Sequence, residues 1–233
     1  MNLSALRKIK KKRLRNQHPV NWLQLRNTEP VSRKFGMDRG TPVDRYYIEN
    51  FLHENKALIR GNVLEIAESA YSKKFGTDIS KYEVLHTKEG RNVTIVGDLT
   101  NMATLPENRI DCFICTQTLN FIYDIKAAIK GAYFLLKPGG TLLATIAGIS
   151  QISRYDMDRW GDYWRFTTLS AKRIFEEVFG NEVEVNSYGN VLAATAFLQG
   201  IATEELTIEE LDYKDDDYQV LITIIARKKD KQA

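Results

Sequence analysis

The feature that most limits how this chain can fold is an alternation. Short apolar or β-branched runs recur at 62–66, 81–86, 92–96, 109–115, 141–146, 182–186 and 219–227. Between them lie segments whose apolar residues follow helical spacing, most clearly Ile125, Ala128, Ile129, Ala132, Leu135 and Leu136 within 122–136. Runs such as Val63-Leu64-Glu65-Ile66 and Leu142-Leu143-Ala144 lack the in-out alternation of a half-solvated strand, so they read as strands covered on both faces. Strands of that kind separated by helices predict an α/β fold with a mostly parallel sheet between two helical layers.

The length of 233 residues suits one domain with an extension. Charge divides the chain. Residues 1–20 hold seven Lys or Arg and no acid, which leaves 26 bases against 30 acids in the rest. We therefore expect a basic extension over 1–35, able to meet an anionic partner, and a mildly acidic domain over 36–233. Apolar runs fall well short of the ~20 residues that cross a bilayer, and no apolar segment of a secretory signal follows the basic start. Cys112 and Cys115 are spaced C-x-x-C, but they lie on a predicted strand, where residues three apart face opposite ways. Buried free thiols and a reducing cytoplasm are the expectation.

Thr41-Pro42-Val43-Asp44 predicts a helix start, with Thr41 as N-cap, Pro42 at the first position and Asp44 as the capping-box acid. Further helices are predicted over 68–75, 168–179, 190–205 and 207–212, and a turn over Lys137-Pro138-Gly139-Gly140. In open α/β sheets ligands bind beyond the carboxyl ends of the strands, at the switch in strand order. That rule selects the loops after Ile66, His86, Val96, Cys115 and Ile146.

Four elements stand in a telling order: Val63-Leu64-Glu65-Ile66, Gly97-Asp98-Leu99, Ile110-Asp111-Cys112-Phe113-Ile114 and Leu136-Lys137-Pro138-Gly139-Gly140. Over residues 36–230 the chain resembles class I S-adenosylmethionine-dependent methyltransferases of the type 11-like group. Arg39 to Tyr47 and Asp158 to Thr167 are similar to members associated with surface-polysaccharide biosynthesis. The resemblance implies a Rossmann-like fold, a mostly parallel seven-stranded sheet and S-adenosylmethionine as cofactor. It places Glu65, Ala67, Glu68 and Ser69 beside the methionine end, His86 beside the ribose, Asp98 and Leu99 beside the adenine, and Thr116 and Gln117 on the far side.

Two departures from the family pattern stand out. Ala67 and Ser69 occupy the loop where glycines let the backbone approach the cofactor closely. At the end of the second strand, where a carboxylate normally takes both ribose hydroxyls, stands His86, which accepts one hydrogen bond; Glu89 is the nearest substitute.

Methyl transfer to oxygen needs alignment and a base. Candidates are Asp162, Asp158, His86 and Tyr163, with Asp162 favoured. Arg154, Tyr155, Arg159, Trp160, Trp164 and Arg165 form an aromatic and cationic stretch suited to a sugar or another polar acceptor. His18, His53 and His86 are scattered and predict no metal site. The expected function is O-methylation of a sugar or small polar acceptor. Two alternatives remain open on sequence: a scaffold that keeps the fold without catalysis, and an RNA methyltransferase guided by the basic segment. The chain lacks an Asn-Pro-Pro-Tyr-like motif, which weighs against methylation of base amino groups.

Overall fold

The computed structural model describes residues 26–230, with Ile9 and Arg13 ahead of them. The chain divides into two compact units, Met1–Pro30 and Val31–Ala233. The basic segment 1–20 lies outside the described residues apart from Ile9 and Arg13, and the architecture below is that of the second unit.

Seven strands form one sheet: β1 (Gly61–Ile66), β2 (Ile79–His86), β3 (Ile95–Val96), β4 (Ile110–Thr116), β5 (Leu136–Ala147), β6 (Val183–Tyr188) and β7 (Leu221–Arg227). Their order is β3-β2-β1-β4-β5-β7-β6. Neighbours from β3 to β5 are parallel, and β7 runs antiparallel to both β5 and β6. The order reverses between β1 and β4, which opens a crevice at their carboxyl ends. The helices are α1 (Val43–Glu54), α2 (Ala70–Phe75), α3 (Ile125–Leu135), α4 (Arg154–Met157), α5 (Thr168–Phe179), α6 (Val191–Gln199) and α7 (Ile208–Asp212).

Strand periodicity sorts the core into two layers. Leu64, Phe113, Cys115, Leu142 and Ala144 point to the α3 and α5 face, where they meet Ile129, Phe175 and Phe179. Val63, Cys112, Ile114 and Leu143 point the other way, toward Tyr47, Phe51, Leu52 and Phe197 on α1 and α6. The predicted opposite facing of the two cysteines therefore holds, and both are free and buried.

Several local expectations are corrected. The strand foreseen over 92–96 is only Ile95–Val96. Thr94 instead binds Val84 through its backbone (N to O 3.0 Å) and its hydroxyl (from Val84 N, 2.9 Å), so a side chain replaces part of the ladder. The foreseen turn over 137–140 lies within β5, whose register against β4 shifts between Ile110 and Cys112. The helix expected over 190–205 stops at Gln199, because Gly200 takes a left-handed φ of 67°. Pro42, not Thr41, stands in the cap position of α1. The Thr41 hydroxyl and amide are used elsewhere, on the Glu204 carboxylate at 2.8 and 2.9 Å. Near the start of the second unit, Ser32 N donates to Gln199 O at 2.9 Å and Phe35 lies against Phe197.

One packing contact ties α3 to the crevice. A Cβ on Gly131 would stand 2.0 Å from the carbonyl oxygen of Leu99, in the loop after β3. Backbone cannot yield as a side-chain tip does, so Gly131→Ala is expected to push the loop aside and to destabilise by about 2–3 kcal/mol, the upper range for overpacking. Thermal unfolding checks this; a melting temperature equal to wild type would show that the loop moves freely.

Candidate functional site

Three cavities adjoin at the carboxyl ends of β1, β2 and β4. The largest is about 750 Å³ and runs from Ile66 and Ala67 past His86, Asp98 and Leu99 to Thr116, Tyr123 and Trp160. A recess of about 190 Å³ lies between α1 and β1, walled by Asp44, Arg45, Glu65, Glu68 and Tyr71. A chamber of about 520 Å³ is walled by Arg33, Lys34, Asp44, Asn120 and the 150–165 segment. Gln117 lines all three. Its backbone has a positive φ of 46° and its amide donates to Thr145 O at 2.9 Å. The strained turn throws the side chain out at the end of β4, where the cavities meet.

The loop after β1 is held by its own acid. Glu65 is buried, and its Oε2 accepts from Tyr71 N at 3.0 Å while Oε1 accepts from Ser72 N at 2.7 Å and from the Ser72 hydroxyl. A carboxylate at the N-terminus of α2 satisfies donors the short helix leaves open. Burial raises the Glu65 pKa, and these donors oppose the rise. Ala67 sits in the left-handed region at φ 67°. That conformation costs a residue with a Cβ about 1 kcal/mol, so the loop keeps a glycine-like path despite the missing glycine. Glu68 reaches the recess, whereas Ser69 lines none of the three cavities.

At the end of β2, His86 Nδ1 lies 3.0 Å from Lys88 N and 3.1 Å from Lys88 O. That nitrogen is engaged in the turn, leaving Nε2 for a ligand. The ring meets Trp160 edge-on, with centroids 6.0 Å apart. Glu89, the suggested substitute for the ribose acid, lines none of the three cavities. Asp98 Oδ1 accepts from the Thr100 amide and hydroxyl, both at 2.8 Å. Asp98 is exposed, and its second oxygen is open to a donor such as an exocyclic amine.

The expected base is corrected. The Asp162 side chain is 1% exposed and locked on Arg165, Oδ1 to Nη1 at 2.5 Å and Oδ2 to Nη2 at 2.9 Å. It also accepts from Ser153 N at 2.9 Å. Burial alone would raise its pKa, but Arg165 and the Ser153 amide outweigh burial and hold it below the usual carboxylate range. Asp162 is thus a clamp across the 153–165 segment and a poor proton acceptor. Arg165 is consumed by the same pair and by Gln151 O at 2.7 Å. Trp164 lines none of the three cavities; its Nε1 donates to Ile122 O at 3.1 Å and its ring stacks on Tyr123. Arg159, Trp160 and Tyr163 face the 750 Å³ cavity, whereas Arg154 and Tyr155 face the 520 Å³ chamber.

Sequence reasoning missed Asp44 and Arg45. Asp44, assigned to capping, lines both smaller cavities. Desolvation pushes its pKa up to about 6, against the pull of Arg45 and of the backbone amides of Arg45 and Asp44. Arg45 Nη1 donates to the Tyr71 hydroxyl at 2.5 Å and stands over the Tyr71 ring. Asn120 was also missed. It is 3% exposed and lines the 520 Å³ chamber, and its Oδ1 is buried without a hydrogen-bond partner.

Residues 59–144 match the family described as Methyltransferase domain. Together with the strand order, this match supports an S-adenosylmethionine-dependent methyltransferase, with S-adenosylmethionine as its cofactor. Among similar folds is a SAM dependent methyltransferase from Archaeoglobus fulgidus, 12% identical over 79% of this chain and 94% of that one, with a TM-score of 0.51. A complex between the Haloferax volcanii Trm112 methyltransferase activator and a methyltransferase is 13% identical over 79% of this chain and 91% of that one, at 0.51. The [4+2]-cyclase SpnF is 17% identical over 87% of each chain, at 0.52. No curated protein matches the sequence. At these identities the neighbours speak for the fold alone, and a cyclase among them shows that the fold does not dictate the reaction.

The residues present fit the cofactor. The large cavity offers Asp98 and Leu99 for an adenine and His86 for a ribose. The recess joins it through Ile66, Thr116 and Gln117 and offers Arg45 for a carboxylate and Glu68 for an ammonium group. No helix among the described residues is long and apolar enough to cross a membrane.

Proposed function

We propose that the protein methylates a hydroxyl oxygen of a small polar acceptor, a sugar of a surface polysaccharide or its precursor. One observation carries this reading. The cavity suited to a nucleoside joins, at Gln117, Phe121 and Asp156, a second chamber large enough for a separate ligand. A donor site and an acceptor site that share a boundary are what group transfer requires.

S-adenosylmethionine, when bound, supplies a methyl group already activated on a sulfonium. The protein has to hold the cofactor, orient the acceptor and receive the acceptor's proton. Arg45 and Glu68 hold the methionine end, His86 the ribose and Asp98 the adenine amine. Asp44, at the border of recess and chamber, receives the proton. Tyr123, Tyr163 and Trp160 give the cofactor cavity an aromatic wall, against which a nucleoside can lie.

Titration calorimetry with S-adenosylmethionine tests the first requirement. Micromolar binding is expected, about −8 kcal/mol. Absence of heat at millimolar cofactor would remove the enzymatic reading in favour of a scaffold. Mass spectrometry for the gain of one methyl group on candidate glycans and nucleotide sugars then identifies the acceptor.

A further inference from the structure

We infer that the 520 Å³ chamber is built for an acceptor carrying an anionic group, a phosphate or a carboxylate, on a hydroxylated body. This rests on the methyl-transfer reading above and specifies its substrate class. Five cations line the chamber (Arg33, Lys34, Arg45, Arg154 and Arg165) against the three carboxylates of Asp44, Asp156 and Asp162. They do not cancel evenly. Asp162 is bound to Arg165, and Arg45 is turned to the Tyr71 hydroxyl. Asp156, which takes the Ser153 hydroxyl at 2.6 Å, and Asp44 then leave two carboxylates against the four cations Arg33, Lys34, Arg45 and Arg154. Arg33, Lys34 and Arg154 form no ion pair among the described residues. Among the described residues, the one side-chain hydrogen bond these three make runs from Arg154 Nη1 to Met157 sulfur at 3.4 Å, a weak acceptor.

A second, independent observation points to the ligand's body. The unpartnered Asn120 Oδ1 lies in the same wall, on a residue that is 3% exposed. A buried acceptor left without a donor costs about 1–3 kcal/mol. A ligand hydroxyl that drew the Asn120 side-chain oxygen round to the chamber would recover that cost. The chamber thus asks for two features at once: negative charge facing Arg33, Lys34 and Arg154, and a hydroxyl donor facing Asn120. Phosphorylated and carboxylated sugars have both.

Calorimetry on the full chain distinguishes these features with four probes: glucose 1-phosphate, glucuronate, methyl glucoside and inorganic phosphate. The two charged sugars are expected to bind at least tenfold more tightly than methyl glucoside, and to weaken as salt rises. Arg33→Gln with Lys34→Gln, and separately Arg154→Gln, should each lower charged-sugar and phosphate affinity about tenfold. Asn120→Ala should weaken the sugars and leave inorganic phosphate unchanged. Equal affinity for charged and uncharged sugars, no charged-sugar binding at 10 mM, or phosphate binding indifferent to the arginine and lysine variants would each overturn the inference. S-adenosylmethionine is titrated in the same variants. Loss of cofactor heat in wild type with charged-sugar binding intact would remove the methyltransferase reading and leave the anion site standing.

Discussion

Asp44→Asn is expected to lower kcat/KM by about 10²–10⁴-fold, the usual contribution of a positioned base. S-adenosylmethionine affinity should stay within about threefold, since the substitution keeps the size of the side chain. The pH dependence follows from the site. Asp44 accepts a proton only as a carboxylate, and its pKa is pushed up to about 6 by desolvation. Wild-type activity should therefore rise as pH passes 6 and level off above it, and the variant should lack that limb. Stability should move the opposite way. A carboxyl whose folded pKa lies above its ordinary 3.8 binds its proton more tightly when folded. Its contribution is most favourable below pH 3.8 and is lost as pH rises through 6. At neutral pH the asparagine variant should thus melt about 2–4 °C higher, the shift expected from removing about 1 kcal/mol of desolvation cost. A variant that is less active and more stable separates a working base from a packing residue. Retention of wild-type kcat would refute the assignment.

Asp162→Ala should do the reverse. Removing the carboxylate strands the Arg165 guanidinium, whose side chain is 28% exposed, and frees Ser153 N. Breaking a buried pair from one side costs about 3–5 kcal/mol. Because Arg165 keeps Gln151 O and some water, the lower end, about 3 kcal/mol, is expected. Replacing both partners, Asp162→Ala with Arg165→Met, should recover most of that loss, because no charge is then left alone. If Asp162 were the base, the single variant would lose the pH limb that we assign to Asp44. Rate profiles measured below the melting point decide between the two residues.

The sheet was readable because its information is local and periodic. Val63-Leu64-Glu65-Ile66 and the run after Gly140 are apolar on both faces, and only a covered strand accommodates that. The crevice followed from chain order alone. What stayed hidden was side chains with two plausible uses. Asp44 stands where a helix wants an acid, so capping accounted for it completely on sequence, although the helix in fact starts without a side-chain cap. Asp162 read as a free carboxylate because nothing in the spacing to Arg165 distinguishes a clamp from a chance neighbour. Asn120 lay inside an apolar helix approach, and only its burial beside a chamber reveals an unmet acceptor. The start of β5 misled for a related reason: Pro and Gly signal a break in helix, yet Lys137-Pro138-Gly139-Gly140 continues as irregular strand beside β4.

The placement of the two cysteines has an experimental use. The chain has only Cys112 and Cys115, and they belong to different packing layers. Both thiols are fully buried, and burial raises their pKa, that of Cys115 to about 12, so alkylating reagents find almost no thiolate until a layer opens. Each sulfur is therefore a native timer for one side of the sheet. Mass-resolved labelling, with no engineered probe, would report whether the α1 and α6 side breathes before the α3 and α5 side, and whether bound cofactor slows one clock or both.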